Sequence, residues 1–164
     1  FALNKRLQRV LNPPNIDKPQ ITIGERTFRV GDRVIHVNND YEKNVFNGDT
    51  GTIAYITEID NKTVIGVEID DAIVLYTRSD AADDLQLSYA LTVHKSQGSE
   101  FPVIVMPVIT AHYVMLQRNL LYTGVTRAQE LVVLVGNKRA IGMAVKNDKI
   151  ERRNSYLKWR LKAW

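Results

Sequence analysis

The sequence predicts an α/β protein in which βα units with a parallel sheet are interrupted by a small antiparallel β module. Two observations carry this. After Leu87, apolar runs such as "PVIVMPVI" (102–109) and "LVVLVG" (131–136) alternate with helical patterns, as in parallel sheets covered on both faces. Ahead of them, residues 44–86 hold short β-rich runs and a very different charge. That stretch carries 2 Lys/Arg against 9 Asp/Glu, whereas residues 1–43 carry 8 against 5 and residues 87–164 carry 12 against 4. A basic, acidic, basic chain, with "NGDTG" (47–51) and "SDAADD" (79–84) at the transitions, reads as an acidic module set into a basic host. A solvated acidic face on a single domain would give the same composition.

The elements follow in order. Leu3, Leu7 and Val10/Leu11 recur at helical spacing and Pro13-Pro14 ends the run, so residues 2–11 are expected to be a helix with an apolar stripe. Residues 21–37 read as strands, with Gly24-Glu25 as a turn and "RVIHV" as a further strand. "TGTIAYIT", "TVIGVEI" and "AIVLY" give three more strands of a meander or small barrel, with Asp60-Asn61 as one turn. Then come an apolar strand at 87–93, a polar turn, a strand at 102–109, a helix around 113–123, a strand at 131–136 and a helix from about Lys138. The tail, 149–164, has six Lys/Arg and one Glu, with Ile150, Leu157, Leu161 and Trp164 at helical spacing. It reads as a basic amphipathic helix, either packed on its own domain or laid on a polyanion.

At 164 residues and 45% hydrophobic content the chain supports one ordinary core, or one with a small insertion. It has no cysteine and only three scattered histidines (His36, His94, His112), so no metal site is expected. No apolar run approaches the about 20 residues that span a bilayer and no signal-peptide pattern opens the chain, which points to a cytoplasmic setting without membrane contact. Phe1 in place of Met suggests a piece of a longer protein. The net charge of +4 suits a nucleic-acid partner, although many proteins with such a surplus bind none.

Two polar clusters stand out. "TVHKSQGSEF" (92–101) follows the run at 87–93, and on a strand Thr92, His94 and Ser96 would share one face and reach one line of phosphates. Gly98 permits close backbone approach to a ligand, and Glu100 can accept hydrogen bonds from sugar hydroxyls. Placed after a strand, the cluster would sit at a carboxyl end, where such sheets gather ligands. The plainer alternative is a locally satisfied histidine, a turn glycine and a helix-start carboxylate. In the second cluster, "YTGVTRAQE" (122–130), Arg127 can grip a phosphate bidentately, or else simply pair with Glu130 on the surface.

Read together, these stretches resemble a known family. "YALTVHKSQGSEFPVIVMP" resembles motif V and "RNLLYTGVTRAQELVVLVG" motif VI of superfamily 1 helicases, in the right order and spacing. "LNKRLQRVLNPP", "FRVGDRVIHVNNDYEKNVFNGDTGTI" and "NKRAIGMAVKNDKIERRNSYL" resemble the bacterial RecD-like branch, the exodeoxyribonuclease V alpha-subunit-like DNA helicases of repair and recombination. The resemblance implies a RecA-like parallel sheet, the second motor domain of the P-loop NTPase type, formed by residues 1–43 and 87–149. A Src-homology-type β-barrel at 44–86 would be its insert and 150–164 a basic C-terminal helix. It further implies that Thr92, His94 and Ser96 contact single-stranded DNA, that Gln97, Gly98 and Glu100 face the nucleotide, and that Arg127 is the catalytic arginine finger aimed at the γ-phosphate. One turn would then join the DNA-facing and ATP-facing residues, coupling cleft closure to DNA contacts. Asn4 and Gln8 fall in what resembles motif IV.

The acidic insert is expected to touch DNA through a few groups or to contact another domain. No GxxxxGK[ST] occurs, so ATP and Mg²⁺ are expected to be held mainly by an N-terminal part outside this sequence, the first RecA-like domain. The implied function is the C-terminal motor segment of an ATP-dependent 5′–3′ DNA helicase, inactive alone. Two alternatives remain: the helicase part of a conjugative relaxase, or a non-catalytic DNA- or protein-binding module on a degenerate RecA-like scaffold. No cluster of carboxylates with an adjacent lysine supports nuclease chemistry.

Overall fold

The computed structural model describes residues 2–148 and Arg160. The predicted basic helix at 150–164 therefore lies outside the described residues, Arg160 apart. The chain forms two compact units that divide between Ser99 and Glu100.

The first unit opens with helix α1 (Ala2–Leu11), followed by the hairpin β1 (Gln20–Ile23) and β2 (Arg26–Arg29), which turns through Gly24 at φ 57°. Strands β3 (Arg33–His36), β4 (Thr50–Ile59), β5 (Lys62–Ile69), β6 (Ala72–Thr77) and β7 (Leu85–Leu87) build a five-stranded antiparallel sheet in the order β6-β5-β4-β3-β7. Two of its turns hold two residues each, both with positive φ: Asp60-Asn61 and Asp70-Asp71. That is the backbone of tight hairpins whose twist matches the strands, and Asp and Asn tolerate it better than most side chains. Alternate residues face one core, in which Phe28, Ile53, Ile65, Val67, Tyr76 and Leu85 are fully buried. The short helix α2 (Arg78–Asp84) is started by a capping box between Thr77 and Asp80. Its last turn is tied to β2 by the Arg26 guanidinium, which donates to the Ala82 and Leu85 carbonyls, a cation placed where helix carbonyls are free.

Three sequence expectations change here. Residues 44–86 do not bound the antiparallel unit, because β3 and β7 are paired strands of the same sheet: Val34 lies opposite Gly51 on one side and Leu87 on the other. Pairing follows the buried faces of Val34, Ile35, Leu85 and Leu87, whereas the charge shift marks only the solvent side. The apolar run at 87–93 is not a strand of a parallel sheet; β7 ends it at Leu87 and turns follow. Helix α1 forms where expected but with its faces reversed. Leu3, Val10 and Leu11 are 54%, 72% and 64% exposed, and the buried stripe is Gln8 and Asn12, one helical repeat apart.

In the second unit β8 (Phe101–Val108) and β9 (Ala128–Gly136) run parallel, with Val103 opposite Leu131 and Val108 opposite Gly136. The expected helix at 113–123 is split into a 3-10 turn at Thr110–Met115 and helix α3 (Arg118–Val125). Helix α4 (Lys138–Lys146) starts where expected, capped by the Asn137 side chain, which accepts from the Ala140 amide at 2.8 Å. Val108, Leu116, Ala140 and Ala144 form its core with Met106, Leu121, Leu134 and Ile141. The opposite face of the pair, with Val103, Val105, Leu131, Val133 and Val135, is exposed, so the two strands are not covered on both sides as their sequence predicts. No described helix is long and apolar enough to cross a membrane.

Candidate DNA and nucleotide site

Thr92, His94, Ser96, Gln97 and Gly98 lie on one compact turn of the first unit rather than along a strand. The Ser96 amide donates to the Thr92 carbonyl at 3.1 Å, the Lys95 amide to Thr92 Oγ1 at 3.3 Å, and the Gln97 amide to the His94 carbonyl at 3.3 Å. Thr92, His94 and Ser96 therefore do not share one face of a strand. Thr92, His94, Gln97 and Gly98 are exposed, but Ser96 is buried and its hydroxyl donates to the Val93 carbonyl at 2.8 Å. Ser96 thus shapes the turn, while Thr92 and His94 present donors to solvent. Gly98 sits at φ 87° with open space around it, so glycine is required by the backbone conformation and not by a close neighbour. Lys95 reaches back to Gln86 Oε1 on β7 at 3.0 Å, fixing the turn to the sheet.

In the second unit Glu100 and Arg127 are the residues immediately before β8 and β9. Phe101 and Ala128 are register partners, and the Phe101 amide donates to the Arg127 carbonyl at 2.8 Å, so both residues stand side by side at the same strand edge. This is the amino edge of the parallel pair, not the carboxyl end expected from the sequence, because the preceding strand at 87–93 that would have set that polarity does not form. Glu100 is exposed and accepts from Gln129 Nε2 at 3.0 Å; Arg127 is half-buried. A carboxylate able to accept from a ribose and a guanidinium able to bind phosphate oxygens are thereby held on adjacent strands.

Asn4 and Gln8, placed with motif IV by sequence, point to protein partners. Asn4 Nδ2 donates to the carbonyls of Leu87 (2.9 Å) and Ala90 (3.0 Å), and its Oδ1 accepts from the Ala90 amide at 2.6 Å. Gln8 Nε2 donates to the Thr27 carbonyl at 2.8 Å and to Asp32 Oδ2 at 2.5 Å. Asp32, which is fully buried, was not among the residues the sequence singled out. The available signal was the four-residue spacing of Asn4, Gln8 and Asn12, which puts three amides on one helix face.

The chain is similar to known proteins along nearly its whole length. Residues 3–68 match the family model of the ATP-dependent RecD-like DNA helicase SH3 domain, and residues 87–135 that of the UvrD-like helicase C-terminal domain. The chain is 35% identical over 161 residues to the ATP-dependent RecD2 DNA helicase of Deinococcus radiodurans, covering 98% of this chain and 21% of that protein. It is 29% identical over 141 residues to the RecBCD enzyme subunit RecD of Buchnera aphidicola subsp. Acyrthosiphon pisum, covering 84% and 22%. The chain thus spans about a fifth of the length of these relatives. The fold is shared with Pif1 helicase structures: one of DNA unwinding at forked double-stranded DNA by two coordinating Pif1 helicases (TM-score 0.57, 18% identity, 99% of this chain and 43% of that one) and one of Bacteroides Pif1 bound to single-stranded DNA (0.53, 19%, 85% and 40%). With 35% identity to a RecD2 DNA helicase across 98% of its own length and a match to the RecD-like helicase SH3 domain, the chain belongs to the RecD-like DNA helicases.

Proposed function

We propose that this chain is the C-terminal motor segment of an ATP-dependent 5′–3′ DNA helicase. The observation that carries the reading is the pairing of Glu100 and Arg127 at one edge of the parallel strands, because together they supply a ribose acceptor and a phosphate-binding cation at one place. Arg127 is the arginine finger in this reading, offsetting charge that develops on the γ-phosphate. Gln97, Gly98 and Glu100 face the nucleotide, and Thr92 and His94 grip the backbone of single-stranded DNA through exposed donors. Ser96 serves that grip by holding the turn.

ATP and Mg²⁺ are bound chiefly by the first RecA-like domain of the same protein. Glu100 and Arg127 suit the sugar and phosphate of a nucleotide, and among the described residues no group of three or more His, Asp or Glu is placed to hold a metal ion. In this reading the antiparallel unit, with its edges at β1 and β7 rather than at 44 and 86, interrupts the second motor domain, and the protein works in the cytoplasm.

DNA-stimulated ATP hydrolysis by the full-length protein, with Arg127→Ala beside wild type, tests the reading. A loss of turnover of about a thousandfold with nucleotide still bound is expected. Unchanged turnover would remove Arg127 from the site and favour a binding module. Movement 3′–5′ on a single strand would overturn the polarity.

A further inference from the structure

We infer that Asp32 is a positioning residue that holds the base of the DNA-facing turn in place through Tyr89. The inference rests on the reading of Thr92 and His94 as DNA contacts.

The Asp32 carboxylate is fully buried and accepts four hydrogen bonds from three separate segments. They come from Gln8 Nε2 (2.5 Å) on α1 and Asn12 Nδ2 (2.7 Å) just past its end, from the Arg29 amide (2.8 Å) at the end of β2, and from the Tyr89 hydroxyl (2.8 Å). Lys18 Nζ donates to Asn12 Oδ1 at 2.7 Å, which fixes the orientation of that amide. A buried carboxylate is tolerated only where its oxygens are satisfied, so these four donors set the geometry as a group. The backbone of Asp32 is equally fixed: its amide donates to the Arg29 carbonyl at 3.0 Å and its carbonyl accepts from Ile53 at 2.9 Å.

Tyr89 is the link to the turn. It lies three residues before Thr92, in a stem also held by the Ser88 amide on the Arg33 carbonyl (2.9 Å) and by Asn4 on Leu87 and Ala90. Asn4, Gln8 and Asn12 are successive residues of one helix stripe, so α1 grips the stem at one end and Asp32 at the other. This explains why the helix buries amides and leaves leucines in water. A turn whose exposed donors must meet successive phosphates loses affinity when its stem moves, because ordering it on binding then costs entropy that the network has already met.

The test uses the full-length protein with Tyr89→Phe, which deletes one donor and leaves Asp32 three, and Ile65→Val as a control that loosens the same core away from the stem. Two quantities are compared: the single-stranded DNA concentration giving half-maximal ATPase stimulation, and backbone amide exchange of Ala90, Ser96 and Gln97. Tyr89→Phe is expected to raise the half-saturating concentration about fivefold while turnover at saturating DNA changes less, and to speed exchange of those amides. Ile65→Val, at a similar loss of melting temperature, moves neither. If the two variants behave alike, Asp32 and Tyr89 are structural only and the inference falls while the helicase reading stands. If wild type is not stimulated by DNA at all, both fall.

Discussion

The Tyr76 hydroxyl stands 3.2 Å from His36 Nδ1, with both rings fully buried and their centroids 5.7 Å apart. Burial pushes the Tyr76 hydroxyl pKa well above the usual tyrosine range, and the carboxylates of Asp84, Asp40, Asp49 and Asp80 push it further. Tyr89 is pushed up to about 12, first by burial and then by its hydrogen bond to Asp32. In both, the folded state holds the phenolic proton more tightly than the unfolded chain does, so stability is unaffected below the unfolded pKa and falls as pH rises above about 10. Denaturant titrations between pH 8 and pH 11 should show that fall, and Tyr76→Phe should flatten it. At neutral pH the same variant is expected to cost about 1–3 kcal/mol, because it leaves a buried ring nitrogen without its hydroxyl.

The acidic limb has a different origin. Lys43 Nζ lies 2.7 Å from Asp40 and 3.4 Å from Asp80. The Lys43 hydrogen bond holds the Asp40 carboxyl below its usual range. At Asp80 burial works upward but is outweighed by hydrogen bonds from Thr77 and the charge of Lys43. A lowered carboxyl pKa adds stability above the unfolded value that is lost as pH falls through it. Lys43→Met should therefore shallow the loss of melting temperature between pH 5 and pH 3, and the wild-type contribution should weaken in high salt.

Gly136 passes Val108 so closely that a Cβ on it would stand 1.8 Å from the Val108 carbonyl oxygen. The obstacle is backbone, not the tip of a side chain, so it cannot move aside without parting β8 from β9. Gly136→Ala is expected to destabilise the second unit by more than about 2 kcal/mol, with the first unit's amide exchange unchanged.

At Gly98 there is room but not freedom, since φ is 87°. Gly98→Ala should strain the turn by about 1 kcal/mol and weaken single-stranded DNA binding by the full-length protein more than it lowers the melting temperature. Equal effects on both would count against this turn as a DNA contact.

Much of this layout was legible in the sequence because it depends on local chemistry. Strands β3 to β6 and the Asp60-Asn61 turn follow from apolar runs and turn residues, and the helix from Lys138 forms where expected. The motif stretches misled as geometry: the run from Leu87 to Val93 is apolar enough for a buried strand, yet sheet pairing ends at Leu87 and Asn4 holds the amide and carbonyl of Ala90 beyond it. Asp32 was not legible because nothing in "VGDRV" reveals that its four donors arrive from residues up to 57 positions away. For the same reason α1 misled, since its apolar spacing is genuine but the amides opposite have the more demanding partners.

The two tight hairpins of the antiparallel sheet have a consequence for the field around it. Asp60, Asp70 and Asp71 are there for backbone shape, and Asn or Gly would serve that shape without charge. The electrostatic character of this unit is therefore adjustable at its loop tips while every strand stays in register, so a homologue can become more or less repellent to a polyanion by three exchanges that its fold does not feel.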